Sequence, residues 1–447
     1  MDPVELFHDV AATVPAYRAF LAERGIDPHR TAFHDLPLTS KDAYTRRHPL
    51  PDLCRGGVLG DMIAVSSGST GEPSFWPRSA ADERVIADRF AEVFDTFDGR
   101  SRRTLAVICF ALGTWVGGLF TLSCLRHLAE RGYPITVVAP GSDKREILRV
   151  IPPLAPCFDQ VVLLGYPPFL KDVIDAGTGW HEWNLKLVTA GEVFSEEWRT
   201  LVCERAGIAD PVRGTASLYG TADAGVLGNE TPLSIELRRF LAARPSLARS
   251  LFGESRLPTL VQYDPGVRYF EEIQGTLAFT GDNGVPLIRY HIADEGGVIP
   301  YADMLRFAAG HGFTPASTGP ERPFVYVFGR SHFTVSYYGA NIYPENIAVG
   351  LEQPEISGSV TGKFVMEIVE DGSHDRHLTI TVELAPGTAP STDLAALAGT
   401  SILAQLRRLN SEFTAYVPAV HQNPFIRLRE TADPEYFPPG AKHRYTR

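Results

Sequence analysis

An α/β protein, with a large N-terminal unit of sheets covered by helices and a small α+β unit after it, is what three observations predict. The chain has 447 residues, too many for one ordinary core. Between Leu105 and Ala206 strand-like apolar runs alternate with helical ones, the grammar of βαβ units. Near Phe328 the grammar changes to two period-2 strands and a leucine-rich helix, which divides the chain into residues 1–328 and 329–447.

The first fifty residues read as helices joined by polar turns, with Val14-Pro15-Ala16-Tyr17 opening the segment Arg18 to Arg24. Met62 to Val65 is a buried strand and Ser74-Phe75-Trp76 its return. Val85, Ile86, Phe90, Val93, Phe94 and Phe97 then recur at helical spacing. The uncharged run Leu105 to Leu125 is long enough for a membrane span, but Gly113, Gly117 and Gly118 interrupt it. It predicts a core strand, a glycine turn and a buried helix from about Val116 to His127. Strands follow at Tyr133 to Val138, Val161 to Leu164 and Leu185 to Val188, with helices over Lys144 to Ile151 and Glu196 to Ala206. In the last third, strands Phe364 to Val369 and Leu378 to Leu384 flank a polar turn, and a helix runs from about Asp393 to Leu409.

With 42 basic against 53 acidic residues the formal charge is −11, which disfavours nucleic acid and anionic membranes as partners. The N-terminal residues lack a basic and an apolar signal region, so no secretory leader is expected. Five scattered cysteines contain no Cys-x-x-Cys pair, which argues against zinc and disulfides and for a cytoplasmic setting.

The chemistry is concentrated in short stretches. Ser66-Ser67-Gly68-Ser69-Thr70-Gly71-Glu72-Pro73 joins hydroxyl donors to glycines that let the backbone approach an anion, so it predicts a phosphate loop. It is not a Walker loop, because no Gly-Lys-Ser/Thr follows. Ser217-Leu218-Tyr219-Gly220-Thr221-Ala222-Asp223, Pro286 to Asp294, Phe328-Gly329-Arg330-Ser331-His332 with Tyr338 to Glu345, and Pro438 to Arg444 complete the set. A carboxylate has two acceptor oxygens and suits a vicinal diol, and a hard dication needs carboxylate oxygen.

In this order and spacing the stretches resemble those of the adenylate-forming superfamily of acyl-CoA synthetases and luciferases, and most nearly the phenylacetate-CoA ligases. Val14 to Tyr17 and Leu36-Pro37-Leu38-Thr39-Ser40-Lys41-Asp42 also resemble that family, at positions that look structural in it. The resemblance implies an AMP-forming ligase whose large domain binds ATP and the acid while a small mobile domain, after a hinge at His332, rotates between half-reactions. It assigns the ATP phosphates to Ser66, Ser67, Gly68, Ser69, Thr70 and Gly71, and adenine and ribose to Tyr219, Gly220, Asp294 and Arg330. Magnesium falls to Asp223, and the catalytic positions are Thr221 and Lys442. Ala190-Gly191-Glu192 and Gly165-Tyr166 line up as pocket walls, so Phe110, Trp115, Tyr166, Gly191, Glu192 and Ser217 are candidates to line an aromatic acid pocket.

Departures from the family pattern are as informative. Asp223 replaces Glu, Thr221 sits one place early, Ala293 replaces Gly, His332 and Phe333 stand where two aspartates are usual, and Gly440 precedes Lys442 by two positions. The expected reaction activates an aryl or arylalkyl carboxylate with ATP and Mg2+ and passes it to coenzyme A. The variant hinge leaves room for another acceptor: an amine, a carrier-protein thiol, or nitrite activated for attack by an aryl amine. A nucleotide-binding protein without turnover is the reading from a different class.

Overall fold

The computed structural model describes residues 2–446 except 67–73, 115, 192, 255, 318, 331–334, 338–339, 371–375, 411–412, 415–416, 418 and 439–442. For Ser66, Pro168, Arg330, Ser336, Ala340, Asn341, Glu370 and Arg376 it describes the backbone alone.

Helices α1 (Pro3–Thr13) and α2 (Pro15–Ala22) open the chain, each with proline in its first turn, where the missing N–H costs nothing. They bury Phe7, Val10, Tyr17 and Phe20 against the antiparallel part of the main sheet. A hairpin of β1 (Met62–Ser66) and β2 (Ser74–Arg78) brackets residues 67–73. Helix α3 (Ala80–Thr96) starts at a capping box in which Ser79 and Asp82 satisfy each other's backbone N–H groups.

The βαβ alternation then runs through β3 (Thr104–Ile108), α4 (Val116–Glu130), β4 (Ile135–Val138), α5 (Lys144–Leu154), β5 (Gln160–Gly165), α6 (Pro167–Ala176), β6 (Leu185–Ala190), α7 (Glu196–Ala206) and β7 (Thr215–Thr221). These five strands pair in parallel in the order β4-β3-β5-β6-β7. β3 and β5 are buried along their whole length, as a parallel sheet covered on both faces requires. The run Leu105 to Leu125 thus becomes a strand, a turn and a helix, and no described helix is long and apolar enough to cross a membrane.

At β7 the sheet changes character. β8 (Gly225–Asn229) returns antiparallel, followed by β9 (Thr259–Gln262), β10 (Arg268–Ile273), β11 (Thr276–Gly281), β12 (Leu287–Ile299) and β13 (Phe324–Arg330). Among the described residues the sheet has eleven strands, in the order β10-β11-β12-β13-β9-β8-β7-β6-β5-β3-β4. Sequence periodicity did not reveal this antiparallel half.

Beyond it lie a small ribbon of β14 (Val335–Tyr337) and β15 (Ala340–Ile342), then β16 (Val360–Glu370), β17 (Arg376–Leu384) and β18 (Phe425–Arg429). Ile347, Leu351, Phe364, Ile380, Ile402 and Leu406 form a core of their own there. Helix Pro344–Leu351 lies so close to helix Thr392–Leu409 that a Cβ at Gly350 would stand 2.7 Å from Ile402 Cα. This unit rests on the large one through polar contacts. Lys363 Nζ reaches Asp172 Oδ2 at 2.8 Å, and the Arg256 guanidinium lies 3.6 Å from the centre of the Tyr343 ring.

Candidate active site

The carboxyl ends of the parallel strands are where an open α/β sheet receives ligands, because the strand-to-helix turns leave a crevice there. Phe110 follows β3, Tyr166 follows β5, Gly191 follows β6, and Thr221 ends β7. The Phe110 and Tyr166 rings meet edge to face, with centroids 5.1 Å apart at 82°. Gly191 has φ +83, and a Cβ there would stand 2.9 Å from the Tyr166 ring, so this turn takes glycine to let the ring pass. Ser217 lies deeper in β7, 2% exposed, where its N–H donates to Glu230 Oε2 at 2.8 Å and its carbonyl accepts from Glu230 N.

Past Tyr219 the chain makes a tight turn into β8. A Cβ at Gly220 would stand 2.6 Å from the carbonyl oxygen of Gly225, so the two strands close only over glycine. Thr221 Oγ1 accepts from Ala224 N at 3.1 Å, which leaves the hydroxyl hydrogen to donate outward. Asp223, inside this turn, is 2% exposed. Its Oδ2 accepts from Tyr290 Oη at 2.5 Å, and Lys41 Nζ stands 3.1 Å from its Oδ1.

Asp294 arrives from β12 and faces β13, where it pairs with Arg330 in register. It is buried, and its Oδ2 accepts from Tyr219 Oη at 2.9 Å. Tyr219 in turn lies near-parallel to Phe270, centroids 6.4 Å apart. The two motifs predicted to meet adenine and ribose are therefore joined directly by a side-chain hydrogen bond. His291, beside them, has its pKa lowered, first by burial and with the opposing charge of Asp294 second, and its Nε2 is 2.7 Å from Thr276 Oγ1.

Lys41 is the site residue that the motif reading missed. Thr39 pairs with Tyr290, its N–H donating to Arg289 O and its carbonyl accepting from His291 N. Arg289 fixes the same segment by donating to the carbonyls of His34 and Leu36 while its Nε holds both oxygens of Glu271. Ser40 then caps the turn Lys41–Thr45 and aims Lys41 at Asp223. The signal was a lysine inside a stretch that already resembled the family.

Ser67, Gly68, Ser69, Thr70, Gly71, Trp115, Glu192, His332 and Lys442 lie outside the described residues, and of Ser66 and Arg330 only the backbone is described. Among the described residues no group of three or more His, Cys, Asp or Glu gathers as a metal site. A single carboxylate still fits magnesium that completes its shell with phosphate and water. Asp223 Oδ1 is buried and faces the Lys41 ammonium at 3.1 Å, so a dication held there would share the carboxylate with that charge.

No family model matches this chain, and no curated protein matches it. Among solved structures, 2-hydroxyisobutyryl-CoA ligase in the postadenylation state in complex with R3-HIB-AMP is similar at TM-score 0.68 and 16% identity, over 100% of this chain and 88% of that one. Anthranilate CoA ligase AuaEII in complex with anthranoyl-AMP follows at TM-score 0.49 and 15% identity, over 82% of this chain and 63% of that one. The amide bond synthetase McbA from Marinactinospora thermotolerans has TM-score 0.44 and 14% identity, over 82% and 65%. The chain thus spans less than two thirds of the length of these last two. The first alignment, over the whole chain, shows that this chain shares the fold of that ligase.

Proposed function

Starting from an adenylate-forming fold, we propose that this chain is an ATP-dependent, AMP-forming ligase for an aryl or arylalkyl carboxylate, with coenzyme A as acceptor. The single observation that carries the reading is the gathering of Phe110, Tyr166, Gly191 and the Thr221–Asp223 turn at the carboxyl ends of the parallel strands. Asp294 joins them from the antiparallel side through its hydrogen bond with Tyr219 of β7.

A carboxylate oxygen attacks the α-phosphorus of ATP, the bond to pyrophosphate breaks, and an acyl-adenylate forms. The thiol of coenzyme A then attacks the acyl carbon and AMP leaves. No covalent enzyme nucleophile is needed, so the protein's work is positioning and charge neutralisation. Ser66 to Gly71 would hold the departing pyrophosphate, Thr221 would donate to the α-phosphate, and Lys442 would bridge acid and phosphate. Tyr219, Gly220, Asp294 and Arg330 would hold the nucleoside. Asp223 would hold magnesium, which when bound neutralises phosphate charge that repels the incoming acid. Phe110 and Tyr166, with Trp115, Gly191, Glu192 and Ser217, would form the wall against which a flat aryl group packs.

Pyrophosphate exchange over a panel of aryl acids, followed by coenzyme A, amines and nitrite as acceptors, tests this. Thioester formation with an aryl acid is expected. Lys442→Ala should lower adenylate formation by about a hundredfold or more while ATP still binds. ATP binding without pyrophosphate release for any acid would mark an inactive nucleotide-binding protein, and amide or diazo product without thioester would replace the acceptor.

A further inference from the structure

Two arginines flank the Asp223 turn, and neither has a carboxylate partner among the described residues. Arg78, the last residue of β2, is 1% exposed and donates through Nη2 to Ala222 O at 2.6 Å. Arg268, the first residue of β10, is 3% exposed and reaches Ala224 O at 3.4 Å and Asn283 Oδ1 at 2.6 Å through its Nη2. The two guanidiniums thus hold the carbonyls on either side of Asp223. The Nε of each has no hydrogen-bond partner among the described residues. Burial pulls both pKa values down, that of Arg268 to about 10, with the nearby charge of Arg78 as its second cause. Space is kept for this arrangement, since a Cβ at Gly281 would stand 2.9 Å from Arg268 Cδ.

Burying a guanidinium without a carboxylate is costly, and placing two close enough to repel each other costs more. Holding two carbonyls does not require that charge, because neutral amide side chains donate equally well. The charge therefore points to an anion at the turn. Asp223 is the one acid paired there, and Lys41 already faces it. Asp82 and Asp282 act on the two arginines through space without pairing with them, so among the groups in contact with the turn Lys41, Arg78 and Arg268 outnumber the one carboxylate.

We propose that Arg78 and Arg268 form a buried cationic clamp that sets the geometry of the Thr221–Ala224 turn and charges it in advance for the polyphosphate of ATP. They are positioning residues, acting through the turn and through space. This rests on the reading that the chain binds ATP.

Calorimetric titration of the full chain with ATP and with adenosine separates charge from shape, because adenosine carries no phosphate. In Arg78→Met and Arg268→Met, ATP should bind at least about tenfold more weakly and adenosine within about twofold of the wild type. Arg78→Lys and Arg268→Lys should keep ATP affinity within about threefold while pyrophosphate exchange slows, since an ammonium keeps the charge but not the planar fork. If the Met variants fail to fold, the Lys variants decide: loss of ATP and adenosine affinity together would reduce the clamp to scaffolding and overturn the proposal. Folded Met variants with unchanged ATP affinity would overturn it as well, leaving the ligase reading intact. A wild-type chain that does not bind ATP would overturn the ligase reading and the clamp with it.

Discussion

Lys41 and Asp223 form an ion pair whose partners are 25% and 2% exposed, and the difference between them decides what each contributes. The carboxylate is the desolvated member, so deleting the lysine leaves a buried charge that keeps, among the described residues, the Tyr290 hydrogen bond and the through-space charge of Arg78 but no ion pair. Lys41→Met should destabilise the chain by about 2 kcal/mol, below the usual cost of breaking a fully buried pair because Lys41 itself keeps some water. Adding Asp223→Asn to that variant should recover part of the loss in urea denaturation. Additive losses would show that the two residues are not coupled. Asp223 stood out in the sequence because Tyr219-Gly220 precede it at the spacing of the pattern it resembles, although Thr221 comes one place early. Lys41 was not, since its partner lies far along the chain and only the Thr39 bridge to Tyr290 brings them together.

Strand β12 shows what a motif looks like once it is built into a sheet. Its pairing with β11 slips between His291 and Glu295, and Ala293, in the slip, takes φ +61. The left-handed region is costly for any residue with a Cβ, by about 1–2 kcal/mol, which gives a physical reason for the glycine the family pattern carries at this point. Ala293→Gly should therefore stabilise the chain by about 0.5–1 kcal/mol after the extra entropy of glycine in the unfolded state is subtracted, and should leave nucleotide affinity unchanged. A lowered melting temperature would show that the bulge is not strained. The parallel strands were legible as apolar runs because both their faces are covered. The antiparallel strands β8 to β13 were not, because they mix Arg268, Glu271, Arg289 and His291 among apolar residues and satisfy them only in the tertiary structure.

At the scale of the whole molecule, the C-terminal unit meets the large one through groups that titrate. Glu352, at the end of helix Pro344–Leu351, accepts from the hydroxyl of Ser195, which itself caps α7. Burial pushes the Glu352 carboxyl up to about 7, with the Ser195 bond opposing, Glu197 adding, and Lys171 and Arg238 opposing. The folded chain thus favours the protonated acid. Its contribution is full below the ordinary glutamate range and is lost as pH rises through about 7. Melting temperature should fall between pH 5 and pH 8, and Glu352→Gln should flatten that slope. An unchanged slope in Glu352→Gln would place the titration elsewhere. By itself the sequence determined the α/β class, the parallel strands and the motifs, since apolar period and residue spacing are local properties of the chain. Only the tertiary structure decided that Tyr219 bonds Asp294, that Lys41 faces Asp223, and that Arg78 and Arg268 grip one turn. Each of those contacts joins segments distant in sequence, and a buried polar group finds its partner only where the packed chain leaves one within reach.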